Sequence, residues 1–229
     1  METKAAQRAK WENPIAPTFE HIEAVSHLRH SSRESVEEMV LASLMHFEFV
    51  FDYADSQKHL CFVIVGEDFR QARRLDGIQL TNKEGNRIKS KNLPGSLATG
   101  FVWKPSPDAA RNPILLLEGV AGYLEALTAL RWAGPYPNRW EVMAAHSANA
   151  SRFCNVPDIL SEISGRRVRI IQDSDPSGRA AALAWGQELT AAGCQVELVT
   201  LPPGMKDIGD VLKAEPKTYH PELAAILAL

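Results

Sequence analysis

One stretch constrains the fold more than any other: Val168 to Gly178, which reads VRIIQDSDPSG. A β-branched apolar run ends in two aspartates one residue apart, followed by a Pro-Ser-Gly turn. The next residues, RAAALAWGQELTAAG, have the composition and spacing of a helix. The pattern predicts a buried strand, two carboxylates at its carboxyl end and a helix leaving from them. In an open α/β sheet, ligands bind at that edge. Two readings of Asp173 and Asp175 are open. They cap the turn and the helix, or they hold a divalent cation such as Mg²⁺, whose charge offsets their repulsion.

The second half of the chain repeats this grammar. PILLLEGVAGYLEALTALRWAG, from Pro113, reads as a strand, a Glu-Gly turn and a helix. Trp140 to Ala145 is a second strand and Val156 to Ile163 a short helix. The helix Ser177 to Ala192 is closed by Gly193, CQVELVTLP is a fourth strand, and PPGMKDIGDVLK starts a last helix. The alternation predicts an α/β fold with a mostly parallel four-stranded sheet covered by helices. Parallel strands carry their carboxyl ends to one edge. Glu118, the pair Asp173/Asp175, and Asp207 with Asp210 are therefore expected to converge there. Oxygen donors of this kind suit a hard cation that also takes a substrate phosphate. Glu118 could act beside it as general acid or base. Gly119 permits close backbone approach, and Gly178 opens a helix whose amides favour anions. Lys206 either neutralises a phosphate or is an ordinary surface lysine.

The first half is different in kind. Residues 1–46 read as a helical lead-in, loose as far as Pro17. Helices are expected over Thr18 to His30 and Ser32 to Phe47, and Val36, Met39, Val40, Leu44 and Phe47 form a packing stripe on the second. FEFVFDYA and LCFVIVG then alternate as strands across the turn ADSQKH. RRLDGIQL and NRIKSK form another pair across NKEGN. From Phe69 to Lys91 there are seven Lys/Arg against two acids, although the whole chain carries a net charge of −3. That tract is a solvated face, or a track for a phosphate backbone along Arg70, Arg73, Arg74, Arg87, Lys89 and Lys91. Trp103, close to it, either packs or stacks a base. KPSPDAARN, Lys104 to Asn112, is a Pro-rich connector. The expected units are 1–46, a basic β-rich subdomain 47–104, the α/β unit 113–213 and a tail 214–229.

Several classes are disfavoured. The net charge gives no global signature of nucleic-acid binding, so any such surface is local. Cys61, Cys154 and Cys194 are scattered and form no C-x-x-C, which argues against a zinc ribbon. METKAAQRAKWENP lacks the apolar core of a signal peptide, and no apolar run approaches the ~20 residues of a membrane span. A cytoplasmic protein without a membrane partner is expected. No G-x-x-x-x-G-K-[ST] occurs, so no helicase motor is encoded here. His146 and Ser147 lack a third group to orient a nucleophile, and Tyr53, Tyr123, Tyr136 and Tyr219 have packing or loop explanations.

The three motifs LLLEGVAG, IIQDSDPSG and GMKDIGD, over Pro113 to Lys213, resemble the Toprim domain. Bacterial-type primases, type IA and II topoisomerases, OLD-family nucleases and small RNA-maturation nucleases share it. ARRLDG, KSKNLPGS and ATGFV, within Phe47 to Lys104, resemble the basic subdomain that precedes Toprim in phage- and plasmid-type primases. The resemblance implies a primase-like nucleotidyltransferase. It would make short primers on single-stranded DNA from nucleoside triphosphates, with Mg²⁺ or Mn²⁺, and a helicase or other replication protein would act in trans. Glu118 would be the catalytic acid/base; Asp173, Asp175 and Asp207 the metal ligands; and Asp210 a further candidate. Arg73, Arg74, Lys89 and Lys91 would face template or nucleotide phosphates. The chain departs from that pattern at Gly122, where many replicative primases carry an acid. Glu125 sits one helical turn further, on a different azimuth, and the zinc-binding module of such primases is missing. A Toprim nuclease, or an inactive module binding nucleic acid or a protein, are the alternatives.

Overall fold

The computed structural model describes residues 14–105, 112–133, 140–214 and 221–227. Most of the connector, Tyr136, Tyr219 and the start of the lead-in lie outside them.

Helix α1, Phe19–Arg29, starts at Thr18, whose hydroxyl accepts the His21 N–H while the His21 ring accepts that of Thr18. It ends at His30, in the left-handed region at φ 50. Helix α2, Arg33–Leu41, is capped by Ser32, which accepts the Ser35 N–H. The sequence pattern carries this helix to Phe47, but it stops at Leu41; Ser43 turns the chain at φ 60, and strand β1 occupies Met45–Asp52. MHFEFVFD alternates with period two, and β1 pairs along its whole length with β2, Gln57–Gly66, from Met45↔Ile64 to Asp52↔Gln57. That ladder outweighs the weak helical stripe. Phe47 is fully buried, as the stripe requires, but from a strand.

Strands β3, Phe69–Arg74, β4, Leu80–Thr81, β5, Arg87–Ile88, and β6, Lys91–Asn92, complete this half. The first sheet is antiparallel, in the order β1-β2-β3-β6. The β4–β5 pair forms across the expected turn, with Gly85 at φ 82. It closes over a small core of Val50, Cys61, Val63, Ala72, Leu80 and Leu93.

The second sheet holds β7, Phe101–Trp103, β8, Ile114–Glu118, β9, Glu141–Ala145, β10, Arg167–Gln172, and β11, Gln195–Thr200. Its order is β11-β10-β8-β9-β7. Strands β8 to β11 are parallel to one another, as the alternating pattern predicts, and β7 adds antiparallel to β9 as a fifth. Three residues carry too little periodicity to announce β7; its partner, distant in sequence, decides it.

Helices α3, Ala121–Trp132, α7, Ile208–Ala214, and α8, Pro221–Leu227, cover one face of this sheet. The other face is covered by α4, Arg152–Asn155, α5, Pro157–Ile163, and α6, Pro176–Ala191. The first of these cores also takes Phe47, Phe62 and Phe69 from the antiparallel sheet, together with Val25 and Met39 of α1 and α2. The two sheets are thus joined through shared apolar burial, at about 1.5–3 kcal/mol for each fully buried Phe. Among the described residues, no helix is long and apolar enough to cross a membrane.

Candidate active site

The carboxyl edge of the parallel sheet collects the acids. Strand β8 is four apolar residues with Glu118 at its tip, and Gly119, at φ 78, turns the chain toward α3. The Glu118 carboxylate accepts the Ala148 N–H, yet burial and the charge of Asp175 raise its pKa. Its Oε2 is buried without a hydrogen-bond partner. After β10, Ser174 N–H donates to Lys206 C=O at 2.8 Å, tying the D-S-D loop to the K-D loop.

Asp173 is strongly perturbed. Burial first, then Glu118 and Asp207, push it up to about 7, with Lys206 opposing. A Cβ at Gly178 would lie 2.5 Å from the Asp173 Cβ and 3.1 Å from Glu118 Oε2. Two acids therefore close on a space that only glycine leaves open. Asp175 serves both of its sequence readings. It N-caps α6, accepting the Gly178 N–H at 2.9 Å and the Ser177 hydroxyl at 2.7 Å, and it faces Lys206 Nζ at 3.3 Å. Those bonds, the Gly178 amide foremost, hold it down to about 2. Asp207 accepts the Asp210 N–H at 3.0 Å at the start of α7, and Asp210 accepts the Lys206 N–H at 3.0 Å. Asp210 thus secures the helix start.

The basic residues divide. Arg73 on β3 is brought to the acids: burial pushes its guanidinium down to about 10 and Arg29 adds repulsion, while Glu125 and Asp207 favour its charge. Lys206 is also at the edge. Arg74, one residue on and pointing to the other face, is bonded to Asp52 at 3.1 Å and to Asp76 at 2.5 and 3.0 Å. Its charge is taken up inside the antiparallel sheet. Lys91 donates to Phe51 C=O at 2.6 Å and lies over the Tyr53 ring. Lys89 is exposed. Trp103 is at the opposite edge, donating to Glu141 at 3.1 Å, with Arg166 over its ring.

Two residues gain a place that sequence reasoning did not give them. Glu125, on α3, is 3% exposed and ion-paired with Arg29 of α1. A Cβ at Gly209 would lie 2.9 Å from Glu125 Oε1 and 3.1 Å from Asp207 Oδ1, so the two carboxylates flank the same glycine. A lone acid in the apolar run LEALTAL was the available signal. At Gly122 a Cβ would meet only Leu117 side-chain atoms, the nearest at ordinary contact of 3.4 Å. His146 follows Ala145, the register partner of Glu118. It bonds Asn92 at 2.9 Å and Gln71 at 3.4 Å and meets Phe69 edge-on, bridging the two sheets. Those partners, rather than Ser147, engage its Nε2.

Among the described residues, the one group of three such side chains with ligand atoms within 4.8 Å of one another is Asp52, Asp55 and His59, at the β1–β2 turn; the edge acids stand further apart. Its carboxylates are already engaged, Asp52 by the Ala54 and Thr81 amides and Arg74, Asp55 by Gln57 N–H and His59. The edge differs: it holds a buried carboxylate oxygen without a partner, a neighbouring acid raised by burial and then by repulsion, and an all-oxygen donor set. Those features fit a hard divalent cation.

No protein-family model matches the sequence, and no curated protein matches it. Among solved structures, the chain is similar to the RNA polymerase domain of Mycobacterium tuberculosis primase DnaG in complex with double-stranded DNA. That likeness has 15% identity and a TM-score of 0.53, covering 97% of this chain and 76% of that one. It is also similar to the primase fragment of the bacteriophage T7 primase-helicase protein, at 16% identity and TM-score 0.49 over 81% of this chain and 67% of that one. The Aquifex aeolicus primase zinc-binding and RNA polymerase domains follow, at 17% and 0.46, over 93% of this chain and 53% of that one. The first is a likeness of fold: a mixed α/β chain with a parallel-rich sheet, as in a primase RNA polymerase domain.

Proposed function

We propose that this chain is a primase-like nucleotidyltransferase of the Toprim type, making short primers on single-stranded DNA from nucleoside triphosphates. One observation carries the reading. Glu118 at the tip of β8, Asp173 just after β10 and Asp207 at the start of α7 lie at one edge, where Glu118 Oε2 is buried without a partner and Asp173 is raised by burial and by its acidic neighbours. A purely structural role leaves that unexplained, because an unsatisfied buried polar group costs about 1–3 kcal/mol. The motif resemblance and the fold likeness to the mycobacterial primase domain support the same reading.

Asp173, Asp175 and Asp207 would hold Mg²⁺ or Mn²⁺, with Asp210 bracing the loop through the Lys206 amide. A bound cation neutralises phosphate charge and makes an attacking hydroxyl more acidic. Glu118, whose pKa is above the ordinary carboxyl value, is suited to take up or return a proton at its Oε2. Arg73 and Lys206 bring positive charge against phosphate oxygens. Residues 47–104 would guide the template, with Lys89 exposed along the track, and residues 113–213 would carry the chemistry. A helicase or other replication protein would be the partner that opens the template.

The test is a labelled-nucleotide assay on single-stranded DNA with Mg²⁺ or Mn²⁺, run beside Asp173→Asn and Glu118→Gln. New short products are expected, reduced at least ~100-fold in both variants. Shortened template without new product, also lost in both, would point to a nuclease. Nucleic-acid binding with no chemistry, insensitive to both substitutions, would make the chain an inactive module.

A further inference from the structure

Strand β1 reads MHFEFVFD, and its aromatic alternation does not end where the core ends. Met45 and Phe47 point into the core shared by the two sheets, while Val50 and Asp52 are buried on the other face. Phe49 and Phe51 share the Phe47 side by the period of the strand, but lie beyond that core. They are 54% and 36% exposed, and Tyr53, just after the strand, is 45% exposed. A strand with one solvated face ordinarily carries polar residues there. Here aromatics at alternate positions are open to solvent, on a strand at the edge of its sheet. An exposed apolar edge is an aggregation liability, and a contiguous exposed apolar patch marks a site of interaction.

The groups around this row define what it fits. Lys91, from β6, donates to the Phe51 carbonyl at 2.6 Å and lies 5.0 Å from the centroid of the Tyr53 ring. Tyr53 in turn meets Phe51 edge-on, with the centroids 5.0 Å apart. The Tyr53 N–H donates to Thr81 C=O at 3.4 Å, and Thr81 pairs with Arg87. The β4–β5 hairpin therefore brings the exposed Arg87 and Lys89 toward the end of the row. Asp55, in the same turn as Tyr53, is taken up by the Gln57 N–H and His59. Rings flanked by cations match a polymer with an anionic backbone and flat apolar faces, which is a nucleic acid with unpaired bases. The row is distinct from the acidic edge. Register sets Phe47, Phe62 and Arg73 side by side across three strands, and Arg73 is the one that approaches Asp207. Phe51 lies four residues further along β1, about 13 Å away.

We propose that Phe49 and Phe51 form a stacking platform for the unpaired bases of a single-stranded nucleic acid, with Arg87, Lys89 and Lys91 set against its phosphates. The platform is a second contact, separate from the acids, and does not depend on which chemistry they perform.

The experiment measures binding by fluorescence anisotropy, without metal or nucleoside triphosphate. The probes are a labelled oligothymidylate of about a dozen nucleotides and an abasic oligomer with the same number of phosphates. The proteins are the full chain and Phe49→Ala/Phe51→Ala. Neither ring belongs to a core cluster, so near-native melting is expected. The double variant should bind the oligothymidylate about tenfold or more weakly, and the abasic oligomer unchanged within about twofold. Unchanged affinity for the oligothymidylate would overturn the proposal. An equal loss on both oligomers would also overturn it, because the rings would then act on phosphate contacts or on the fold. A labelled peptide of alternating Glu and Phe that binds the unsubstituted chain and is lost in the variant, while the oligothymidylate is not, would assign the row to an acidic protein strand and overturn it too. If the double variant melts early, Phe49→Leu/Phe51→Leu carries the test, because it keeps apolar bulk and removes the rings. A loss confined to the base-bearing oligomer supports the proposal, and no loss sinks it. Primer synthesis does not enter this readout. A chain that makes no primer but shows the base-dependent loss keeps the platform and loses the nucleotidyltransferase reading.

Discussion

The two sheets handle charge in opposite ways. On the face of the antiparallel sheet that carries Arg70 and Arg74, the buried charges are answered. Arg74 is shared by Asp52 and Asp76, Arg70 meets Glu48, and Lys91 donates to the Phe51 carbonyl. At the carboxyl edge of the parallel sheet, acids face acids: Glu118 keeps an unpartnered oxygen and Asp173 is pushed up to about 7. Both regions bury ionisable groups and both sit on strands. Only the first is arranged to lower the energy of the protein by itself. The lesson is that an answered charge belongs to the fold, while an unanswered one marks where a ligand is to complete the balance.

The comparison can be broken or sharpened by substitution. The largest effect is expected from Arg74→Met. It leaves Asp52, 1% exposed, without its cation, at a cost of about 3–5 kcal/mol. Denaturant unfolding would measure it; a change under 1 kcal/mol would mean that the antiparallel pairs do not hold the fold. Next is Gly178→Ala, whose methyl would lie 2.5 Å from the Asp173 Cβ. About 1–3 kcal/mol should be lost, and the rise in melting temperature that Mg²⁺ binding is expected to give the unsubstituted chain should disappear.

Asp173→Asn should act in the reverse direction. It relieves repulsion at the edge, so the metal-free protein is expected to gain on the order of 1 kcal/mol, allowing for partial exposure, while activity is lost. A destabilised Asp173→Asn protein without metal would remove the contrast between the sheets. The smallest effect concerns pH. Arg74 holds Asp76 below its ordinary value of 3.8; burial raises Asp52, but the Ala54 and Thr81 amides and Arg74 outweigh it. Groups lowered in the folded state add stability above their unfolded pKa and lose it as pH falls through the folded one. Asp76→Asn should therefore cost under about 1 kcal/mol near neutrality and give a shallower acid limb below about pH 4. Melting curves from pH 6 downward would show it.

Much of the edge was legible in advance, for a definite reason. Strand, carboxylate, turn and helix follow one another within a few residues in IIQDSDPSG, so local pattern alone places Asp173 and Asp175 at a strand tip. The same holds for Glu118. The basic tract was harder. Arg73 and Arg74 are neighbours in sequence, but successive residues of a strand point to opposite faces. Composition counts them alike; the fold sends one to Asp207 and the other into a buried pair with Asp52. Helix α2 shows a similar limit. Its apolar stripe suits either period at Leu44 and Phe47, and the β1–β2 ladder settles the matter at Met45.

The sequence by itself determined the alternation of strand and helix from Pro113 onward and the acids that follow three of those strands. Each of these follows from contiguous residues. Only the tertiary structure decided that Arg29, Glu125 and His146 belong near that edge. Their neighbours come from α1, β3, β6 and the start of α7, and no local pattern records which side chain another element will press against. It also decided which charges are answered, because a carboxylate's energy depends on the solvent and partners that folding leaves around it.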